Sequence, residues 1–348
     1  MNGSYCTIAR VRRVRGTYVL TGAIAFILAG AFVFASAAPG RVPGSPTLSF
    51  RVVTQTTQKL DSLVWTGRQF LYVQNTTNTV WAAPPAGSPL VQFATMPNLV
   101  EETRCVLSPG RRGFPPGAIF CHSPDNKIYE ISPNGSSVTV FASLPAPYLP
   151  ASDGALAFDS VGAFGNRLVA ATGRSGGAKP AGGMVYTIGP HGDAHQVGSY
   201  AEPGGADELV IAPRRFGSVA GDALLTVDAG ASGGAVVAVD PSGRTRTIAT
   251  FPEGPNPIAP IPNPHKEDGE ELALPFPGLY LSDDTTGYTY MAPAASLASY
   301  AGDVIVGAEG PRPLFWILKP RGNGFAEIPL SDNLPAGTYS LEQAIFVP

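Results

Sequence analysis

The residues best suited to chemistry in this chain are carboxylates that recur just ahead of short apolar runs. Asp61 precedes Leu63-Val64-Trp65, Glu102 precedes Cys105-Val106-Leu107, and Asp153 precedes Ala155-Leu156-Ala157-Phe158. Glu208 precedes Leu209-Val210-Ile211 and Glu342 precedes Ala344-Ile345-Phe346-Val347, while Glu101 and Asp207 stand beside two of these acids. Acidic oxygens held about 5–6 Å apart in a partly desolvated space repel strongly, so a cation or hydrogen-bond donors must neutralise them. A hard divalent cation such as Ca²⁺, with about six to eight oxygen ligands at about 2.4 Å, suits such a set, and Glu102, Asp153, Glu208 and Glu342 are its candidate ligands. The alternative is that the acids cap strand starts by accepting backbone N–H bonds.

The elements that must position these acids repeat with them. After each of the first four acids come an apolar strand, a turn, a second strand, a polar hairpin, a third strand, a Pro/Gly turn and a fourth strand. In the second repeat these are Cys105–Leu107, Ala118–Phe120, Lys127–Ile131 and Val138–Phe141, with Ser132-Pro133-Asn134-Gly135 as the last turn. Alternation with a two-residue period, broken by turn residues every eight to twelve positions or so, marks short antiparallel strands. Proline presets φ in such turns and glycine two residues later supplies φ > 0. A period of roughly 40 to 55 residues argues for a radial array rather than a β-sandwich pair. The expected fold is therefore all-β, a six-bladed β-propeller, with seven or five blades as alternatives.

Beyond Pro255 the repeat loosens. Residues 258–268 read as an insertion on a face of the disc, and residues 296–300 are expected to fill a strand position. Phe50–Thr54 and Ala344–Val347 are spare strands at opposite ends, and their pairing in one blade is expected to close the ring and remove exposed edges. In a propeller the first strand of each blade lines the channel, so the acids fall at the face where those strands begin.

Composition agrees with many short strands. The 348 residues include 41 Gly and 35 Pro, and only 14% are charged. A net charge of −3 gives no basic field of the kind that nucleic acid demands. Arg10, Arg12, Arg13 and Arg15 precede an apolar run from Val19 to Phe34 and the small-residue pattern Ala35-Ser36-Ala37, which together mark an export signal over residues 1–37. An uncleaved signal anchor is the alternative and is the one route to a membrane that the sequence offers. Residues 38–47 read as a Pro/Gly-rich linker and residues 48–348 as the propeller domain. The expected location is the periplasm, the extracellular space or the outer face of the cytoplasmic membrane.

Cys105 and Cys121 fall on the first and second strands of one blade in a chain bound for an oxidising compartment, so a disulfide between them is expected, with two buried thiols as the alternative. Other constellations are thin. His122, His191, His195 and His265 sit apart in predicted turns, no Gly-x-Ser-x-Gly elbow occurs, and Gly173–Gly183 lacks the Gly-Lys-Ser/Thr of a phosphate loop.

The run Lys127-Ile128-Tyr129-Glu130-Ile131-Ser132-Pro133-Asn134-Gly135, echoed by Val236–Gly243, resembles the NHL-repeat, gluconolactonase and strictosidine-synthase-like (TolB-like) group of six-bladed propellers. The gluconolactonase resemblance implies a divalent-metal-dependent hydrolase of lactones or small esters, in which the metal polarises a carbonyl and an acid activates water. The chain shows no clear equivalents of that family's metal-binding asparagines. Gly278–Tyr288 is similar to a strand and turn of quinone-dependent sugar dehydrogenases, which implies a third function, although the cationic clusters of such enzymes are not evident. The reading carried forward is an exported propeller that binds a small molecule, protein or glycan at the channel face, with lactone hydrolysis as its alternative.

Overall fold

The computed structural model describes residues 47–100, 103–145, 154–173, 182–229, 232–262, 278–310, 314–337 and 339–347. They form six four-stranded antiparallel sheets, the blades of a β-propeller. Blades one to four each come from one continuous stretch, in the order inner strand to outer strand. Blade one is Leu60–Trp65, Phe70–Gln74, Thr77–Ala83 and Val91–Val100; blade two is Cys105–Leu107, Ile119–Ser123, Lys127–Ile131 and Val138–Ser143. Blade three is Gly154–Phe158, Leu168–Gly173, Gly183–Ile188 and Ala194–Tyr200; blade four is Gly205–Ile211, Ala223–Asp228, Gly234–Val239 and Thr245–Phe251.

Blades five and six are interleaved, and here the sequence expectation is corrected. Pro255–Pro260 is the inner strand of blade five, so the first residues of the supposed insertion lie on the channel wall rather than on a face of the disc. The chain then contributes the hairpin Gly278–Asp283 and Tyr288–Pro293 to blade six before returning with Val304–Ala308, Phe315–Arg321 and Gly324–Pro329 to complete blade five. Residues 294–300, of which 296–300 were expected as strand, form a 3₁₀ helix whose Leu297 is buried; they bridge the two blades instead of extending one.

Blade six also closes the ring. Its inner strand is the C-terminal Leu341–Val347 and its outer strand is Arg51–Gln55 from the other end of the chain, with the hairpin between them. The two ends thus share a blade, as expected, but each bonds to the hairpin rather than to the other. A second tie pairs Thr47–Leu48 in parallel with Ser331–Asp332. Of the leader and the linker, all but Thr47 lies outside the described residues.

The core is distributed rather than central. Six clusters of buried apolar side chains lie one at each junction between blades. Strand alternation produces this: in blade one Leu63, Phe70 and Tyr72 face blade six, while Val64, Leu71 and Val73 face blade two. The turn glycines supply the close approach between neighbours. A Cβ at Gly87, Gly135, Gly192 or Gly243 would stand 2.3, 2.1, 2.1 or 2.2 Å from the carbonyl oxygen of Val53, Phe93, Phe141 or Val197, each on the outer strand of the preceding blade, and all four have positive φ. Gly87 lying on Val53 shows that the N-terminal strand occupies the place of an ordinary fourth strand.

Candidate functional site

The channel wall is built from strands that deliberately lose register. Between Leu60 and Leu63 the pairing skips Asp61-Ser62, between Ala206 and Glu208 it skips Asp207, and between Pro255 and Ile258 it skips Asn256-Pro257. On blade six Glu342-Gln343 is skipped in the same way. Such bulges release a residue from the ladder and re-aim its side chain. Blades one, five and six use them to aim a polar side chain at the axis, and blade four to aim the Asp207 carbonyl, whose own carboxylate accepts from the Asp228 N–H.

Those residues converge on Arg104, which immediately precedes the inner strand of blade two and is fully buried. Its Nη1 donates to Asp61 Oδ1 of blade one, and its Nε donates to the carbonyl of Asp207 in blade four at 2.7 Å. Its Nη2 donates to Asn256 Oδ1 of blade five and to Glu342 Oε2 of blade six, both at 3.0 Å. One guanidinium thus joins five blades. Blade three attaches through a parallel bridge between Thr103 and Gly154, where a Cβ on the glycine would strike the ring of His122 at 2.0 Å.

A second layer of hydrogen bonds surrounds this centre. Asn256 Nδ2 donates to Glu309 at 3.0 Å and to Glu342 at 3.1 Å, and Ser340 Oγ reaches the same two carboxylates at 3.0 and 2.9 Å. Glu309 and Ser340 are half-buried and form the rim of the cluster. Gln343 Oε1 accepts from Ser62 Oγ at 2.7 Å and from the Leu63 N–H at 2.6 Å, while Ser62 Oγ accepts from the Cys105 N–H at 2.8 Å. Ser282 Oγ donates to the Asp61 carbonyl at 2.6 Å. Blade six is therefore stitched to blades one and two by polar groups.

Glu208 lies at the edge of the same cluster and is only 3% exposed. Its backbone N–H is bonded to Thr226 Oγ1 at 3.0 Å, but its carboxylate Oε2 has no hydrogen-bond partner among the described residues. Burial pushes this carboxyl up from 4.5 to about 8; the Arg104 charge works in the opposite direction and the Asp61 charge adds to the rise. His122, whose N–H bonds the Arg104 carbonyl at 2.9 Å, is likewise buried with Nε2 unpartnered among the described residues. Desolvation lowers it from 6.5 to about 4, so it is neutral at physiological pH.

Of the acids singled out from sequence, Asp61, Asp207, Glu208 and Glu342 are gathered at the axis, whereas Glu101, Glu102 and Asp153 lie outside the described residues. The described acids do not fit an added divalent cation, because Asp61 and Glu342 already hold a guanidinium where that cation would sit. Among the described residues no group of three or more His, Cys, Asp or Glu side chains is placed to hold a metal. Arg104, Asn256, Gln343, Glu309 and Ser340 were missed by sequence reasoning. The signal for Arg104 was weak: it is a basic residue directly ahead of the apolar run Cys105-Val106-Leu107, two positions after the acid Glu102 that carried the repeat. Cys105 and Cys121 form the expected disulfide beside it, with Cα atoms 4.1 Å apart.

Fold and axis together define a six-bladed β-propeller with a polar, arginine-centred channel. No protein-family model and no curated protein matches the chain. Among solved structures it is similar to the PQQ-bound aldose sugar dehydrogenase of Streptomyces coelicolor, at 14% identity and TM-score 0.49 over 84% of this chain and 91% of that one. It is also similar to a chain of a nidogen/laminin complex, at 9% identity and TM-score 0.43 over 72% and 76% of the two chains. A third likeness is to a proposed 6-phosphogluconolactonase of Bacteroides uniformis, at 13% identity and TM-score 0.37 over 54% of this chain and 53% of that one. These likenesses concern the fold alone.

Proposed function

We propose that this chain is an exported β-propeller that binds a small polar ligand at the channel face where the inner strands begin. The observation that carries this reading is the set of bulges that spend strand register to bring Asp61, Asn256, Glu342 and the Asp207 carbonyl to one buried arginine. A ring that needed only stability could have packed its axis with apolar side chains, since buried ion pairs are often no better than hydrophobic replacements. The half-buried Glu309 and Ser340 carry the cluster toward the face, where a ligand would meet it. Export rests on the basic, apolar and small-residue succession over residues 10–37.

The test is a thermal-shift screen of residues 38–348 against sugars, sugar acids, lactones and glycan fragments, repeated with Ser340→Ala and Glu309→Gln. A ligand whose shift is lost in the rim variants supports the reading. A ligand whose shift survives both variants places binding elsewhere and contradicts it. Export is checked by N-terminal sequencing of the protein recovered outside the cytoplasm, which is expected to begin near Ala38.

A further inference from the structure

Resting on the export proposed above, we propose that the side of the ring formed by blades six, one and two docks on an anionic lipid surface, through the end opposite the axial cluster. The inner strands start at Arg104 and its partners, so the turn from each first strand to the second lies at the far end, together with the turn from third to fourth. In blades one and two these turns are residues 66–69, 84–90, 108–118 and 132–137, and they contain no Asp or Glu. They carry Arg68, Arg111 and Arg112, all exposed. Arg51, also exposed, starts the outer strand of blade six at the same end, since it pairs with Met291 near the close of the neighbouring strand. The corresponding turns of blades three and four do hold acids that are spent on arginines, Asp193 on Arg167 at 3.4 Å and Asp240 on Arg244 at 2.7 Å. In a chain of net charge −3 the cations of blades six, one and two are therefore segregated rather than abundant.

A second observation falls on the same three blades. The exposed large apolar side chains among the described residues are Val52, Val91 and Val140, at 46, 57 and 51%, on the outer strands of blades six, one and two. The turn at Gly87 packs on Val53 and the turn at Gly135 on Phe93, which places Val52 and Val91 beside the acid-free turns. Exposed arginines with exposed apolar side chains suit an anionic bilayer, where charge draws the protein to the headgroups and the apolar groups enter the interface. An acidic glycan, or the acidic end of a second copy, would satisfy the arginines and leave the valines in water. The leader and linker also precede Arg51 in the chain, so the segment that brings the protein to a membrane joins the ring through blade six.

The experiment is co-sedimentation of the 38–348 protein with vesicles of phosphatidylcholine alone and of phosphatidylcholine mixed with phosphatidylglycerol. Binding is expected to the mixed vesicles only, and to weaken as NaCl rises from about 0.1 to about 1 M. Arg111→Gln combined with Arg112→Gly, the second change suited to the φ of 57° at that residue, is expected to weaken binding about fivefold per arginine. Val91→Ser is expected to weaken it severalfold and to leave its salt dependence in place. Unfolding curves show whether each variant is folded, and Arg68→Gln carries the test if the paired variant is not. Ser340→Ala and Glu309→Gln, at the other end of the ring, are expected to leave vesicle binding unchanged, so failure of the ligand site and failure of this surface are read separately. No binding, equal binding to both vesicle types, or binding that survives the arginine variants overturns the proposal. Tighter binding to alginate, lost in the arginine variants and kept in Val91→Ser, assigns the surface to an acidic glycan and overturns the lipid. Self-association in analytical ultracentrifugation that the arginine variants abolish assigns it to a second copy and overturns the lipid likewise.

Discussion

Blades one to four and blades five and six solve the same packing problem differently. The first four are local, each folded from one run of neighbouring strands and joined to the next by apolar faces. Blade five draws on two separated segments and blade six on three, and to the apolar cluster between blades six and one they add polar links through Gln343, Ser282 and Glu342. Apolar burial tolerates small slips, because it is non-directional. Polar links between distant segments do not, because donors and acceptors must meet within a few tenths of an ångström. The closing blades thus depend on a register that the axis enforces, and Arg104 is the point where both halves of the ring meet.

The sharpest way to break this arrangement is Arg104→Met. It removes the cation shared by Asp61 and Glu342, both buried, and the expected cost is about 3–5 kcal/mol by denaturant unfolding. Substituting Cys105 and Cys121 with Ser removes a cross-link within a local blade, across a sequence separation of 16; the loop-entropy argument gives a loss of about 3 kcal/mol. Gln343→Ala leaves the Leu63 N–H and Ser62 hydroxyl without their acceptor, at a cost of about 1–3 kcal/mol. Amide exchange sharpens the comparison: Gln343→Ala is expected to speed exchange in blades one and six and to leave blade three protected. Uniform acceleration would show that the ring does not distinguish its two halves.

The smallest effect per step is in pH. Glu208 is raised from 4.5 to about 8, so between those values the unfolded state loses its proton while the folded state keeps it, and stability falls as pH rises. His122 is lowered from 6.5 to about 4, so over that interval the unfolded state holds the extra proton and stability rises with pH. The two slopes oppose each other from about 4.5 to 6.5, and above that interval only the fall from Glu208 remains. Each slope is at most about 1.4 kcal/mol per pH unit. Glu208→Gln is expected to remove the fall above pH 6.5 and expose the rise below it, as read from Tm against pH.

The blades that were legible in sequence are the local ones. Their turn glycines, including Gly135 and Gly243, announce themselves because positive φ and contact with a neighbouring carbonyl admit little else. The crossover after Pro260 was not legible, since a strand such as Pro255–Pro260 carries three prolines and no alternation to mark it. Pro257 is accommodated where the ladder breaks register, a tertiary circumstance, and Pro255 and Pro260 at the two ends of the strand. At the site, the acids Asp61, Glu208 and Glu342 were visible as repeats, but their partner was not. The sequence offered an outside cation or hydrogen-bond donors as ways to neutralise these acids, and Asp61 and Glu342 meet a cation that the chain itself supplies from blade two.

That substitution of a resident guanidinium for a bound metal is the central claim, and metal content with thermal unfolding before and after chelation tests it most directly. On residues 38–348 the account predicts no stoichiometric divalent metal and a Tm unchanged by chelator, with Arg104→Met lowering Tm sharply. Stoichiometric Ca²⁺ or a transition metal in the wild-type protein, with a Tm that falls on chelation, would contradict it and return the channel acids to the role of metal ligands.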